Sequence, residues 1–351
     1  MMAPILGWDI GGAHLKAALV DGDGDLAGLW QRPCPLWQGL DRLEQAVDAI
    51  LGAAGVSAPL HAVTMTGELA DLFTGRDEGV RRIAETLRGR LPDGTILLYA
   101  GPRGFVAPQD CGTEERALVA SANWLASARY AARRLGHGLL VDIGSTTADL
   151  IPFRDGAARY QGYTDHERLR LGELVYAGVA RTPLMAVADR LPFDGAMIPL
   201  MAELFATTAD VYRLTGELPG HADPWPAADG GPKTVAGSAR RLARMIGLDF
   251  LEPADLPVWQ RLAEDLRERQ LARLGEAAAR LMARENLDQN APLAGAGVGR
   301  FLARRLAERL QRPYVDMNRL FPGIATADEL SPADLAPAVA VALLLRETGG
   351  P

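Results

Sequence analysis

Short apolar runs that end in glycine, set between longer stretches of helical spacing, dominate the hydrophobic pattern of this chain. PILGWDI is such a run and reads as a buried strand. HLKAALVD and DLAGLWQRP follow, parted by the turn-rich DGDGD at Asp21 to Asp25, and together predict an antiparallel hairpin. LDRLEQAVDAILGAAG carries apolar residues at helical spacing and a glycine stop. HAVTMTGE then predicts a strand entering a polar turn, VRRIAETLRGRL a helix and TILLYA a strand. EERALVASANWLASARYAARRLG predicts one long helix ending at Gly136.

After that glycine the pattern restarts. GLLVDIGS, TTADLIPFRDG and AARYQGYT predict three strands, and SARRLARMIG and VWQRLAEDLRERQLARLGEAAARLMARE predict helices. APLAGAGVG predicts a strand into a glycine-rich turn, RFLARRLAERL a helix, PYVDM a strand and DLAPAVAVALLLRE a closing helix. The Pro- and Gly-rich stretch from Leu218 to Pro232 is the expected exposed loop or lid. The order of elements predicts two α/β halves: residues 1–115, a linking helix at 116–136, and residues 137–351 with an insertion around 180–290.

The restart repeats a local motif. GWDIGG at Gly7 to Gly12 and LVDIGSTTADL at Leu140 to Leu150 each end an apolar run in Asp-Ile-Gly. Glycines let a backbone approach an anion closely and aim unpaired amides at it. Gly11 and Gly12 supply this in the first copy. In the second, Gly144 is followed by Ser145, Thr146 and Thr147, which add hydroxyl donors. If the halves pack about a pseudo-twofold axis, Asp9 and Asp142 face one cleft, and two carboxylates there suit Mg²⁺ on a di- or triphosphate. A single Asp-x-Gly is commonly just a turn; two copies, each opening an α/β half, argue for a phosphate site. A third stretch, Gly295, Gly297 and Gly299 in AGAGVG, reads as another wall of that cleft or as close strand–helix packing.

Composition narrows the chemistry. The net charge of −7 over 351 residues argues against non-specific nucleic-acid binding. Nearly all positive charge is arginine, which singles out Lys16 and Lys233. Lys16, in the first hairpin, is either a phosphate contact or a solvated strand-edge lysine. Cys34 and Cys111 form no metal-ligand spacing, and a reducing, cytoplasmic setting is expected. No apolar run of membrane-spanning length occurs, so no membrane partner is expected. HExxH, GxSxG and Walker-type motifs are absent from the sequence.

The three glycine stretches resemble the acetate kinase, sugar kinase, heat-shock cognate and actin superfamily, which implies two ribonuclease H-like domains around a central cleft. More narrowly, GWDIGGAHLKAAL, TMTGELADLF, LLVDIGSTTADLIP, GYTDHERLRLGELVYAGVARTP and FATTADVYRLTGEL resemble the hydantoinase/oxoprolinase-like proteins of tetrahydromethanopterin-linked C1 transfer. That resemblance implies a transferase of methanofuran or methylofuran biosynthesis. Its members include a synthase joining an aminomethylfuran diphosphate to the phenol oxygen of a tyramine- or tyrosine-derived acceptor, with release of diphosphate. Mg²⁺ is the expected metal, near Asp9 and Asp142, and ATP is not required by this reading.

Under this reading the phenol, with a pKa of about 10, needs a base or cationic help. Glu68, Asp149, Asp165 and Glu167 are the candidates, and the sequence does not choose among them. Arg168 and Arg181 could hold an acceptor carboxylate, or form surface salt bridges. Trp124 is expected in the core, and Asp210 is either cleft-facing or a helix-surface acid. The competing functions are an ATP-dependent small-molecule kinase, an ATP-dependent amidohydrolase and a nucleotide-binding sensor. The expected partners are small molecules, and a homo-oligomer is left open.

Overall fold

A computed structural model describes residues 2–55, 60–323 and 330–349. The chain begins with β1 (Ile5–Ile10), β2 (His14–Val20), β3 (Leu26–Pro33), α1 (Asp41–Ala54) and β4 (Leu60–Met65). Next come α2 (Arg76–Arg90), β5 (Thr95–Tyr99), β6 (Phe105–Val106), α3 (Thr113–Val119) and α4 (Asn123–Leu135). The pattern restarts with β7 (Gly138–Ile143), β8 (Ala148–Arg154), β9 (Ala157–Ala158), α5 (Asp165–Leu171) and β10 (Leu174–Val175). Then follow β11 (Arg190–Phe193), β12 (Ala196–Pro199), α6 (Thr208–Leu214), α7 (Val235–Arg244) and α8 (Leu256–Arg284). The last elements are β13 (Leu293–Ala296), α9 (Arg300–Arg309), β14 (Tyr314–Asp316) and α10 (Ala336–Glu347).

The chain divides into two compact units. The first holds Met1–Gly136, Phe153–Ala158 and Asp316–Pro351; the second holds His137–Pro152 and Arg159–Val315. In the first unit the strand order is β3-β2-β1-β4-β5-β6. The β1–β2 and β2–β3 pairs are antiparallel, as the DGDGD turn dictates, and β1–β4 and β4–β5 are parallel. Leu6, Trp8, Ile10, Leu15, Val63 and Met65 point to one face and form a core with Leu43, Val47 and Ile83 of α1 and α2. Helix α10 covers the opposite face. A Cβ on Gly7 would lie 2.1 Å from the Ala338 carbonyl oxygen and 2.9 Å from the Ala342 methyl. Small residues on both elements therefore set that approach.

The second sheet runs β10-β8-β7-β13-β14, with β9 on β8. Its centre repeats the first: a hairpin beside the first strand, then a parallel strand on the far side, here β13 on β7. Leu139, Val141, Ile143 and Leu150 pack with Leu262, Leu266, Leu274 and Leu281 of α8 and Leu302 and Leu306 of α9. Both units are ribonuclease H-like, as the repeated motif implies.

Three expectations need correction. The long helix before Gly136 is broken: α3 ends at Val119, α4 starts at Asn123, and Ser121 between them has φ of +52°. AARYQGYT supplies a third strand only over Ala157–Ala158, β9 on β8; the rest of it is not strand, and the equally short β10 also pairs with β8. The closing helix does not belong with residues 137–351, because α10 packs on β1, β2 and β4 of the first unit. The Leu218–Pro232 stretch is a loop with many exposed residues, as expected, and it is tied along its length. Arg213 donates to Asp223 (2.7 Å), Arg241 to the Pro232 carbonyl (3.0 Å), and Lys233 to the Trp225 carbonyl (3.0 Å).

Candidate functional site

In the first unit the turn after β1 closes through the Gly11 amide, which donates to the His14 carbonyl at 2.9 Å. Nothing lies within 4 Å of where a Cβ on Gly12 would point, so the turn is open on that side. Two neighbouring turns hold it from outside. Leu36, in a 3-10 turn at Leu36–Gln38, donates its amide to Gly12 (3.1 Å), and Thr66 donates its amide to Ile10 (2.9 Å). Gly67 lets the second of these turns close in: its Cβ would stand 2.5 Å from a Leu36 methyl and 3.3 Å from the Gly11 carbonyl oxygen. Asp9 is buried directly opposite Lys16 in the β1–β2 ladder, so both side chains share a face. The half-buried Lys16 Nζ donates to the Asp334 carbonyl oxygen at 2.9 Å.

Glu68 follows that turn and is 1% exposed. Its Oε1 accepts from the Ser121 hydroxyl at 2.8 Å, and Ser121 also accepts from Arg76 at 3.4 Å. The break between α3 and α4, with its left-handed Ser121, is what delivers this hydroxyl. One turn away in sequence, His61 is buried and accepts at Nδ1 from the Trp8 indole at 3.2 Å. Burial pulls its pKa down to about 4, so it is neutral near pH 7. Cys34 is likewise buried and its thiol pushed up to about 12, which removes it as a nucleophile.

The second unit builds the same turn from other supports. The Gly144 amide donates to the Thr147 carbonyl at 2.8 Å, and Ser145, Thr146 and Thr147 are half-buried. The amides of Val179, Ala180 and Arg181 donate to Gly144 and Ser145 carbonyls at 3.1, 3.0 and 2.8 Å. Gly178 makes this possible, since a Cβ there would fall 2.3 Å from the Ser145 carbonyl carbon and the Thr146 nitrogen. Beneath it, the buried Gln270 amide donates to the Ala177 and Gly178 carbonyls (both 3.0 Å) and accepts from the Tyr212 phenol (2.8 Å). The third glycine stretch meets this turn. Gly297, at φ +77°, would put a Cβ 2.6 Å from an Asp142 carboxylate oxygen, and the Gly299 amide donates to Ile143 at 2.8 Å. Gly295 lies under the Tyr314 ring, so its role is close strand packing.

The residues expected to meet an acceptor are distributed differently. Arg168 is buried, paired with Asp149 and within 3.9 Å of Asp165. Burial raises the Asp149 carboxyl above its usual range, and the Arg168 charge offsets part of that rise. Glu167 caps α5: its carboxylate accepts from the Tyr163 and Thr164 amides, and the Thr164 hydroxyl accepts from its own amide. Arg181 is exposed and stands beside the second turn through its backbone. Asp210 is neither surface acid nor open to a cleft. It is 4% exposed and accepts from Ser238 (2.6 Å) and Arg241 (3.1 Å). Trp124 is in the core, as expected.

Sequence reasoning did not single out Ser121, Gly178, Gln270 or Glu173. Glu173 is wholly buried, accepts from the Gln161 and Gly162 amides (2.9 and 3.1 Å) and pairs with Arg284 (2.7 Å). The available signal was a Glu inside the apolar run LGELVYAG, where an acid needs buried partners. Among the described residues no cluster of three or more His, Cys, Asp or Glu could hold a metal. No helix of the described residues is long and apolar enough to cross a membrane.

Two ribonuclease H-like units, each with a glycine turn and a strand-end aspartate, make up the fold. The chain belongs to the hydantoinase/oxoprolinase family, whose pattern it matches over residues 60–332. It is 30% identical over 250 residues to the (4-{4-[2-(gamma-L-glutamylamino)ethyl]phenoxymethyl}furan-2-yl)methanamine synthase of Methanocaldococcus jannaschii, covering 71% of this chain and 73% of the relative. The protein of the same name from Methanococcus vannielii is 34% identical over 112 residues, covering 32% of this chain and 50% of that one. The solved nucleotide-free acetone carboxylase shares the fold, with a TM-score of 0.55 at 11% identity over 97% of this chain and 70% of that chain.

Proposed function

We propose that this protein is a synthase of methanofuran-type coenzyme biosynthesis, joining an aminomethylfuran diphosphate to the phenol oxygen of a tyramine- or tyrosine-derived acceptor. The observation that carries the reading is the 30% identity, over most of both chains, to a synthase whose product is that aryl furfuryl ether. The geometry supports it through two glycine turns with donors suited to a diphosphate.

In the reaction the bond between the furfuryl carbon and the diphosphate oxygen breaks, and its electron pair leaves with diphosphate. The phenol oxygen bonds to that carbon and gives up its proton. The Gly12 amide of the first turn and the Ser145 and Thr146 amides with the Ser145, Thr146 and Thr147 hydroxyls of the second are the proposed diphosphate donors, acting where negative charge grows. Glu68 is the proposed proton acceptor, oriented by the Ser121 hydroxyl. Asp149, Asp165 and Glu167 are assigned to scaffolding, since they pair with Arg168 or cap α5. Arg181, beside the second turn, is the remaining proposed partner for an acceptor carboxylate.

A strand-end carboxylate suits Mg²⁺, which commonly keeps water and phosphate oxygens as ligands. Asp9 in the first unit and Asp142 in the second, each beside its own turn, are the proposed carboxylates for such an ion, which would neutralise charge on the leaving diphosphate.

The test incubates the protein with a furfuryl diphosphate and tyramine or tyrosine derivatives, with and without ATP, and weighs the products by mass spectrometry. An ether plus diphosphate without ATP is expected. A phosphorylated acceptor formed at the expense of ATP would replace this reading with a kinase.

A further inference from the structure

The first unit hides its large apolar side chains well. Among its described residues only Trp37 and Leu69 are exposed ones, at 45% and 48%. Both sit on the turns that hold the first glycine loop. Trp37 is in the turn whose Leu36 amide bonds Gly12, and Leu69 follows Glu68 in the turn that Gly67 presses against Gly11 and Leu36. Scattered exposed apolar residues carry no message by themselves. Here the only two of one unit flank the same anion-suited turn.

We infer that Trp37 is the platform for the furan ring of the diphosphate donor, an inference that rests on the synthase reading. One methylene joins that ring to its diphosphate. A donor whose phosphates lie on the Gly12 amide therefore carries its ring no farther than the neighbouring Leu36–Gln38 turn, which holds Trp37. The indole does more than pack. As the carbon–oxygen bond lengthens, positive charge spreads over the furan and its methylene, and an indole face attracts a cation more strongly than a phenyl ring does. The contact therefore strengthens as the barrier is climbed and acts on kcat. Leu69, exposed on the Gly67–Leu69 turn, is the proposed second apolar contact for the ring.

Trp37→Phe and Trp37→Leu test this, with thermal melting as the folding check. The expected order of kcat for ether formation is Trp, Phe, Leu, with Leu down about tenfold. Acceptor KM and inorganic pyrophosphate affinity are expected to hold. Wild-type kcat in Trp37→Leu overturns the inference, and so does a rise confined to acceptor KM, which would put the phenol on the indole. Acrylamide quenching gives an independent reading, because Trp8, Trp124 and Trp259 are buried. Protection by a furfuryl diphosphate but not by pyrophosphate, lost in Trp37→Phe, supports it; equal protection by both, or none, overturns it. Failure of the synthase reading looks different: wild-type protein makes no ether at all, and the quenching comparison still decides the ring contact.

Discussion

The two glycine turns share a backbone and differ in the charge behind it. Gly11 to His14 and Gly144 to Thr147 close the same three-residue span. Counting two residues outward from each sets Asp9 opposite Lys16 in the first unit and Asp142 opposite Asp149 in the second. The first turn thus has a cation in its own hairpin. The second has two acids, and its compensating charge comes from Arg168 on α5. That requirement gives a physical reason for the run from Gly162 to Pro183. Its first part brings a buried guanidinium to Asp149, and its last part, around Gly178, braces the turn itself.

The comparison is broken most sharply by Arg168→Met. Leaving Asp149 buried without its partner is expected to cost about 3–5 kcal/mol, and adding Asp149→Leu should recover much of it. Denaturant melts of the single and double variants measure both. If the single variant loses less than 1 kcal/mol, the guanidinium is not the compensating charge.

Acid separates the units next. The folded pKa of His61 is about 4 against an ordinary value near 6.5. Unfolded chains then bind the extra proton, so its stabilising share is complete above pH 6.5 and is lost as pH falls toward 4. The loss is roughly 3 kcal/mol. Asp149 has the opposite sign, since its raised pKa favours the folded state at lower pH. Hydrogen exchange by mass spectrometry at pH 7 and 4.5 should show β1 and β4 loosening before β7 and β8. His61→Asn should flatten that difference.

A methyl group sharpens the contrast in bracing. Gly178→Ala puts a Cβ 2.3 Å from backbone that cannot yield, at an expected cost of about 1–3 kcal/mol and with loss of pyrophosphate affinity. Gly12→Ala meets nothing within 4 Å and should melt within about 0.5 kcal/mol of wild type. Lys16→Met falls between those two glycine variants. Its bond is to one carbonyl and half-exposed, so about 1 kcal/mol is expected, together with weaker pyrophosphate binding if the ammonium also serves the ligand. Thermal melts read the stability of each variant, and calorimetric titration with pyrophosphate and Mg²⁺ reads its affinity.

Much of this was legible in the chain. Strand-end glycines, the DGDGD turn and helical spacing placed nearly every long element within a few residues, because those signals are local. What escaped depends on distant partners. Ser121 interrupts an Ala-rich helical run with no breaker residue, and its reason, the Glu68 carboxylate, lies 53 positions earlier. The β10 strand is two residues long and carries no alternation to read. The α10 helix announces itself by composition, but nothing in its sequence says that its alanines fit Gly7 of β1. At the site, the glycines and aspartates were visible as motif. The division of labour among Asp149, Arg168 and Glu167 was not, since it rests on which acids are buried together and which cap a helix end.

Because β1, β2 and β4 lean on α10, synthesis and folding run out of step. The first sheet is made before its covering helix, which is complete only once residues 336–347 emerge, whereas residues 137–315 can finish before then. A chain truncated at residue 320 and released should therefore carry a protease-resistant second unit and a vulnerable first one, which makes α10 the latch of the first unit.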